Sequence, residues 1–141
     1  MRSIVTSGLR SNCPINLALE TLGDAWSLLI VRDLMFKGRT SYKEFLDAGE
    51  GISTNILADR LQRLEALEIV SKTTDPEDAR RYVYRLTEIG IDLAPLLVEM
   101  ILWSVRHFKT DAPAEVIAEM TLHRGRFLKQ VRKRWENCEI E

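Results

Sequence analysis

The chain is expected to fold as a mainly α protein with a small β-hairpin wing, an α+β arrangement, and three observations between Gly51 and Thr87 predict it. Leu57, Leu61 and Leu64 recur at spacings of four and three behind Ser53, which makes one face of a capped helix. The β-branched pair Ile69-Val70 follows, and then a charged turn built on Asp75-Pro76-Glu77-Asp78. Tyr82, Tyr84 and Leu86 then alternate with Val83 and Arg85, the period of a strand. A helix that runs into a hairpin with a charged tip is the pattern of a winged helix-turn-helix, here with additional N- and C-terminal dimerisation helices. In that arrangement the helix enters the major groove of DNA and the hairpin reaches beside it.

The other elements follow in order. Residues 1–12 read as a flexible N-terminal arm. Asn12 or Asn16 is placed to cap a first helix around Ile15 to Leu22, which Gly23-Asp24 ends. Asp24 caps the next helix, Ala25 to Phe36, which carries Trp26, Leu29, Ile30, Asp33 and Leu34. Lys37-Gly38-Arg39 breaks it. Ser41, with Glu44 three residues on, forms a capping box for a short third helix with Tyr42, Phe45 and Leu46 inward. A turn at 48–51 leads into the recognition helix, Thr54 to about Leu67, and the hairpin spans Val70 to Leu86. Thr87 is expected to cap one long apolar helix reaching Phe108, in which Pro95 costs a kink or a hydrogen bond. Asp111-Ala112-Pro113 is a second break. Val116, Ile117, Met120, Phe127, Val131 and Trp135 mark one more helix, or two meeting near Gly125. The winged helix-turn-helix with its dimerisation helices is therefore assigned to 13–110 and a C-terminal helical extension to 111–141.

A chain of 141 residues with 45% apolar content is long enough for one real core, and its 29% charged content argues against disorder. Net charge is −1, so any DNA binding must use a local patch. The two cysteines, Cys13 and Cys138, stand far apart and form no metal-ligand spacing with His107 or His123, so neither metal nor cofactor is expected. Free thiols suit a reducing cytoplasm. The first residues lack an apolar signal core, and no apolar run approaches the ~20 residues a membrane span needs. Two isolated histidines, with no glycine-rich phosphate loop and no carboxylate pair, argue against an enzyme.

On a helical wheel Leu57, Leu61 and Leu64 face the core, and Asn55, Asp59, Gln62 and Ala66 fall opposite with Arg63 beside them. Asn and Gln pair with adenine edges, Arg with guanine or phosphate, and a carboxylate accepts from cytosine. The competing reading is a solvated face, with Asp59 paired to Arg63 four residues on. Arg60, at the flank of the core stripe, suits a structural or phosphate role. Ser53 and Thr54 open this helix. Arg39, Ser41 and Lys43 lie where helix-turn-helix proteins meet the DNA backbone. Arg80 and Arg81 leave the hairpin tip and suit phosphate contact, against a local pairing with Asp75, Glu77 or Asp78. From Ser53 to Arg85 six basic residues (Arg60, Arg63, Lys72, Arg80, Arg81, Arg85) meet six acidic ones (Asp59, Glu65, Glu68, Asp75, Glu77, Asp78), so each subunit alone should bind modestly.

Outside that region, Cys13 precedes Pro14 at a helix start, where the partial positive charge of the helix favours a thiolate. The competing reading is a small buried apolar residue. Trp26, Trp103 and Phe108 read as core or dimer interface ahead of a small-molecule pocket. Arg124, Arg126, Lys129, Arg132, Lys133 and Arg134 read as a solvated helix face or a source of nonspecific DNA affinity. The long apolar helix needs a covering partner, and an identical subunit is the economical one.

These residues resemble the HxlR-type bacterial transcription regulators, winged-helix relatives of the MarR group. The likeness is carried by Cys13-Pro14, Leu22-Gly23-Asp24-Ala25-Trp26 and Leu28-Leu29-Ile30-Val31-Arg32-Asp33-Leu34. It continues through Tyr42-Lys43-Glu44-Phe45, Gly51-Ile52-Ser53, Leu57-Ala58-Asp59-Arg60-Leu61-Gln62-Arg63-Leu64-Glu65, Tyr82-Val83-Tyr84 and Leu86-Thr87-Glu88-Ile89-Gly90. Ala25 stands where the family usually has lysine, and the region after Asp111 is longer than the family's. The resemblance implies a homodimer on a palindromic operator in double-stranded DNA, with sensing through the first cysteine in some members. A small-molecule effector is a further candidate partner. The alternative is a winged-helix protein-interaction or sensor module without DNA binding.

Overall fold

The computed structural model describes residues 8–138. Residues 1–7 of the expected arm and 139–141 of the expected extension lie outside the described residues. The chain divides after Gly90 into two compact units, inside the span 13–110 assigned to one domain. The first holds α1 (Pro14–Leu22), α2 (Ser27–Phe36), α3 (Tyr42–Leu46), α4 (Thr54–Ala66), β1 (Val70–Asp75) and β2 (Asp78–Leu86). The short α5 (Glu88–Ile91) meets the boundary, and the second unit holds α6 (Ala94–His107), α7 (Ala114–Leu122) and α8 (Arg124–Asn137). A mostly helical chain with one antiparallel hairpin is the fold class read from the sequence.

Helix starts follow from side-chain chemistry. The N-cap of α1 is Cys13 and not Asn12 or Asn16, and no side chain caps it. Pro14 at the first helical position has no N–H to satisfy, which removes part of the need. Asn16 instead donates to the Ser11 carbonyl at 3.1 Å and to Glu20 at 2.5 Å. Helix α2 starts at Ser27, later than Ala25, yet Asp24 still serves its N-terminus by accepting from the Trp26 and Ser27 amides at 3.0 Å each. The Ser41–Glu44 capping box on α3 is present in both directions. Ser53 caps α4 by accepting from the Ile56 amide at 3.2 Å.

Leu57, Leu61 and Leu64 of α4 are buried with Val31 of α2, Phe45 of α3 and Ile69, Val70, Tyr84 and Leu86 of the hairpin region. Each such burial is worth about 1.5–3 kcal/mol. Tyr42, expected inward, lies at the edge, where its hydroxyl donates to the Thr54 carbonyl at 3.0 Å. The strands pair from Val70↔Leu86 to Asp75↔Asp78, with an irregularity at Thr74/Asp75 beside the Pro76-Glu77 turn. The Tyr84 amide leaves the ladder and donates to the Thr40 carbonyl at 2.8 Å, which ties the wing to the α2–α3 turn.

Helix α4 ends in a Schellman motif: the Ile69 amide reaches the Leu64 carbonyl at 2.9 Å, and the Glu68 amide reaches Glu65 at 3.0 Å. The position after the cap then needs a left-handed backbone, and Glu68 adopts it at φ 61°. A side chain there is strained and glycine is not. Glu68→Gly should therefore raise stability by about 0.5–1 kcal/mol, read as a higher urea midpoint. A lower midpoint would mean that the Glu68 side chain contributes more than its backbone costs.

The single long helix after Thr87 is corrected. Thr87 does cap, accepting from the Gly90 amide at 3.2 Å, but α5 ends at Ile91 and α6 begins at Ala94. Pro95 falls in the first turn of α6, where its missing N–H costs nothing, so the chain starts a new helix instead of kinking one. In the second unit α6 packs with α7 and α8 around Leu97, Val98, Met120 and Val131. The C-terminal apolar stretch forms two helices that meet at His123, close to Gly125. Among the described residues no helix is long and apolar enough to cross a membrane.

Candidate nucleic-acid interface

The leucine stripe that buries one side of α4 turns the other side outward. Asn55, Asp59, Gln62 and Ala66 are all exposed, as the wheel requires, and Arg63 is exposed beside them. Thr54 and Ser53 open the same helix and are exposed, with the Ser53 oxygen already accepting the Ile56 amide. These residues come together on one surface because a single capped helix carries them.

The arginines divide by partner. Arg60 donates from Nε to Asp24 Oδ2 at 2.8 Å and from Nη1 to Asp59. These two partners suit the structural alternative of the structural-or-phosphate role that its place at the flank of the stripe suggests. Asp59 thus pairs with Arg60, the next residue, and not with Arg63 four residues on. Arg63 reaches the other way and donates to the Glu20 carbonyl at the end of α1. Last-turn carbonyls lack helical partners and carry partial negative charge, so a guanidinium is well placed there.

Asp24 is the centre of this corner. Ser27 Oγ donates to it at 2.6 Å, in addition to the two amides and Arg60. Burial opposes its ionisation, but the donors from Ser27, Trp26 and Arg60 outweigh that and hold the carboxyl well below its usual 3.8. A lowered carboxylate contributes stability that is complete above the unfolded value and is lost as pH falls through the folded one. The stability advantage of the native chain over Asp24→Asn should therefore be full at pH 6 and shrink steadily below about pH 4. Urea titrations at stepped pH check this, and a constant difference would show that folding leaves the Asp24 pKa unshifted.

At the α2–α3 turn Arg39 is anchored. Its Nη1 and that of Arg32 lie 2.8 and 2.9 Å from Asp33 and Glu50 respectively, and Arg32 Nη2 is 2.8 Å from the same Asp33 oxygen. Asp33 is buried. An acid inside an apolar helix face, between two arginines in sequence, was the available signal for this triad. Ser41 is also buried, and its hydroxyl is spent on the capping box. Lys43 is exposed. Glu44 is held below the usual carboxylate range by the Thr40 amide, against its partial burial, and by Ser41.

At the wing tip Arg80 pairs with Asp78 at 3.2 Å, and Arg81 is exposed. Arg80 lowers the Asp78 carboxyl, first through its side chain and then through its amide. Cys13 is exposed at the start of α1, unlike the buried packing residue of the competing reading, and Cys138 is exposed too. The basic run of α8 is partly paired: Arg124 with Glu99, Arg126 with Glu119 and Arg132 with Asp92. The pairings of Arg60 with Asp24 and of Arg63 with Glu20 span 36 and 43 residues, and no local pattern announces contacts of that range.

Comparison with known proteins fits this geometry. The family model described as HxlR-like helix-turn-helix matches residues 21–112. An uncharacterized HTH-type transcriptional regulator of Synechocystis is 39% identical over 88 residues, 62% of this chain and 64% of that protein. The chain thus spans less than two thirds of that relative. The HTH-type transcriptional regulator YodB of Bacillus subtilis is 38% identical over 93 residues, 65% of this chain and 82% of that protein. The reduced form of YodB superposes with a TM-score of 0.57 at 33% identity, over 69% of this chain and 95% of that one. YodB has also been solved diamide-treated and quinone-bound. The crystal structure of PA1607 superposes with a TM-score of 0.67 at 36% identity, over 77% of this chain and 75% of that one.

Proposed function

Because the chain belongs to the HxlR-like helix-turn-helix family, whose members are transcriptional regulators and not enzymes, we propose that it binds double-stranded DNA as a homodimer on a palindromic operator. The observation that carries the reading is the outward face of α4, where Asn55, Gln62 and Arg63 stand exposed on a helix whose opposite side is fully buried. Asn55 and Gln62 offer paired donor and acceptor groups to adenine edges. Arg63 reaches guanine or phosphate by leaving the Glu20 carbonyl. Arg39, Lys43, Ser53 and Thr54 line the approach of the DNA backbone, and Arg80 and Arg81 meet phosphates beside the groove. Ser41 contributes by shaping the turn through its cap.

Two surfaces support pairing of subunits. On α1, Ile15 and Leu19 are 71% and 55% exposed; on α6, Leu96, Met100 and Trp103 are 40%, 44% and 53% exposed. Apolar side chains spaced along one helix face call for a covering partner. Such a regulator works in the cytoplasm, where Cys13 stays reduced until challenged. The exposed place of Cys13 and the likeness to YodB favour a response to thiol oxidants or quinones.

Selection of bound fragments from random-sequence DNA tests the whole reading. Gln62→Ala should cost about 1–3 kcal/mol and relax the preference at one base pair. Arg81→Ala should weaken all sequences alike and flatten the salt dependence. Repeating the selection with diamide should release DNA from the native chain and not from Cys13→Ser. No enrichment at any salt would defeat the DNA-binding reading, and equal release in both proteins would defeat the Cys13 assignment.

A further inference from the structure

Asp59 is the awkward residue on the outward face of α4. An acid that faces DNA repels phosphates, and this one is 65% exposed. Two observations give it a purpose. Its carboxylate is bonded through Oδ2 to Arg60 Nη1, so its charge is partly offset, by a guanidinium it shares with Asp24, and one oxygen is oriented. Arg60 in turn is fixed from behind: its Nε sits 2.8 Å from Asp24 Oδ2, and that Asp24 is itself held by the Trp26 and Ser27 amides and by Ser27 Oγ. Arg60 is 24% exposed and Asp24 18%, so this end of the relay is shielded from solvent. The sequence of contacts runs from a half-buried anchor in the α1–α2 corner, through one planar guanidinium, to a single carboxylate on the reading face. A guanidinium presents its donors in a rigid fork, so anchoring one nitrogen fixes the direction of the others.

We propose that Arg60 is a positioning residue for DNA recognition and Asp59 a specificity-determining one, the Asp24–Arg60 pair holding Asp59 so that its remaining oxygen accepts from the amino group of a cytosine in the major groove. This rests on the DNA-binding reading above and deepens it. Cytosine is the base whose major-groove edge offers a donor without a neighbouring acceptor, so a carboxylate suits it and an acceptor-rich guanine edge repels it. With Arg60 offsetting part of the charge, Asp59 loses less to the flanking phosphates than a bare carboxylate would. The arrangement selects against wrong bases more than it adds affinity for the right one.

The experiment compares the native chain, Asp59→Ala, Arg60→Ala, Arg60→Lys and the Asp59→Ala/Arg60→Ala double variant. Each is used in selection from random DNA and in binding to the selected fragment and to its single-base variants. Asp59→Ala should abolish a preference of about tenfold or more for C·G at one position while leaving affinity for unrelated DNA equal or higher. Arg60→Ala should lose the same preference at the same position, and in the Asp59→Ala background it should change discrimination no further. Arg60→Lys, which lacks the fork, should retain only part of it. Side-chain couplings of Asp59 by NMR should show one rotamer in the native chain and averaging in Arg60→Ala, a measurement that needs no DNA. A drop in affinity for all sequences with a smaller salt slope, when Arg60 is removed from the Asp59→Ala chain, would make Arg60 a phosphate contact and overturn the relay. An unchanged base preference in Asp59→Ala, with a native chain that does select a sequence, would overturn the role of Asp59 alone. A native chain that selects no sequence would fail the DNA-binding reading itself.

Discussion

Asp33→Ala should destabilise the first unit by about 3 kcal/mol, read as a shift of the urea midpoint at constant slope. The Asp33 side chain is 4% exposed, and one of its oxygens takes donors from Arg32 and Arg39 at 2.8 Å each. Removing the acid strands two guanidiniums that are themselves 23% and 31% exposed, too enclosed for water to replace the partner fully. Arg32 keeps Glu50 at 2.9 Å, while among the described residues Arg39 keeps only the bond from its own amide to the Asp33 carbonyl. The loss should therefore fall on the α2–α3 turn, and Arg39→Ala should cost much less in the Asp33→Ala chain than in the native one. A midpoint for Asp33→Ala within about 0.5 kcal/mol of native would show that the triad is replaceable by solvent.

Gly90→Ala should also cost about 3 kcal/mol, for a steric reason. Gly90 is buried, and a Cβ on it would lie 2.3 Å from the Ile69 carbonyl oxygen and 2.9 Å from Leu86 Cδ2. The same carbonyl accepts the Thr87 amide at 3.0 Å and the Thr87 hydroxyl at 3.2 Å. A methyl group would push α5 off the end of β1 and stretch both bonds. The blocking atom is backbone, which cannot turn aside as a side chain would, so the cost sits at the upper end of overpacking effects. Gly125→Ala is the control. Nothing lies within 4 Å of its added Cβ in α8, and the exchange should raise stability by about 0.5 kcal/mol. If Gly90→Ala unfolds like the native chain, α5 slides freely and the close approach is unimportant.

The parts that were legible in the sequence are those set by local chemistry. The period of Leu57, Leu61 and Leu64, the caps at Ser41 and Ser53, and the alternation around Tyr84 each place an element to within a residue or two. Pro95, expected inside one long helix at the cost of a kink or a hydrogen bond, instead starts a fresh helix, an outcome that depends on where α5 stops. The outward face of α4 followed from its inward face. What each arginine holds did not follow: Arg60 and Arg63 find partners through the packing of α1, α2 and α4, whereas Arg39 finds Asp33 six residues away, and charge counts along the chain treat them alike. The exposure of Cys13 was likewise a tertiary outcome, since Cys-Pro at a helix start is compatible with burial.

The two-stranded wing has a consequence for how the protein survives at high concentration. Among the described residues β1 has no further strand on its outer side, so it presents open backbone groups to any other chain. Such edges invite strand-to-strand aggregation. Here β1 spans only Val70–Asp75, carries Lys72 with its ammonium 4.4 Å from the Tyr82 ring, and runs into Pro76. A short strand, a charge that must be desolvated before a neighbour can dock, and a residue that cannot donate together make the edge a poor template. The wing can thus stay extended and exposed without becoming the point at which the protein comes out of solution.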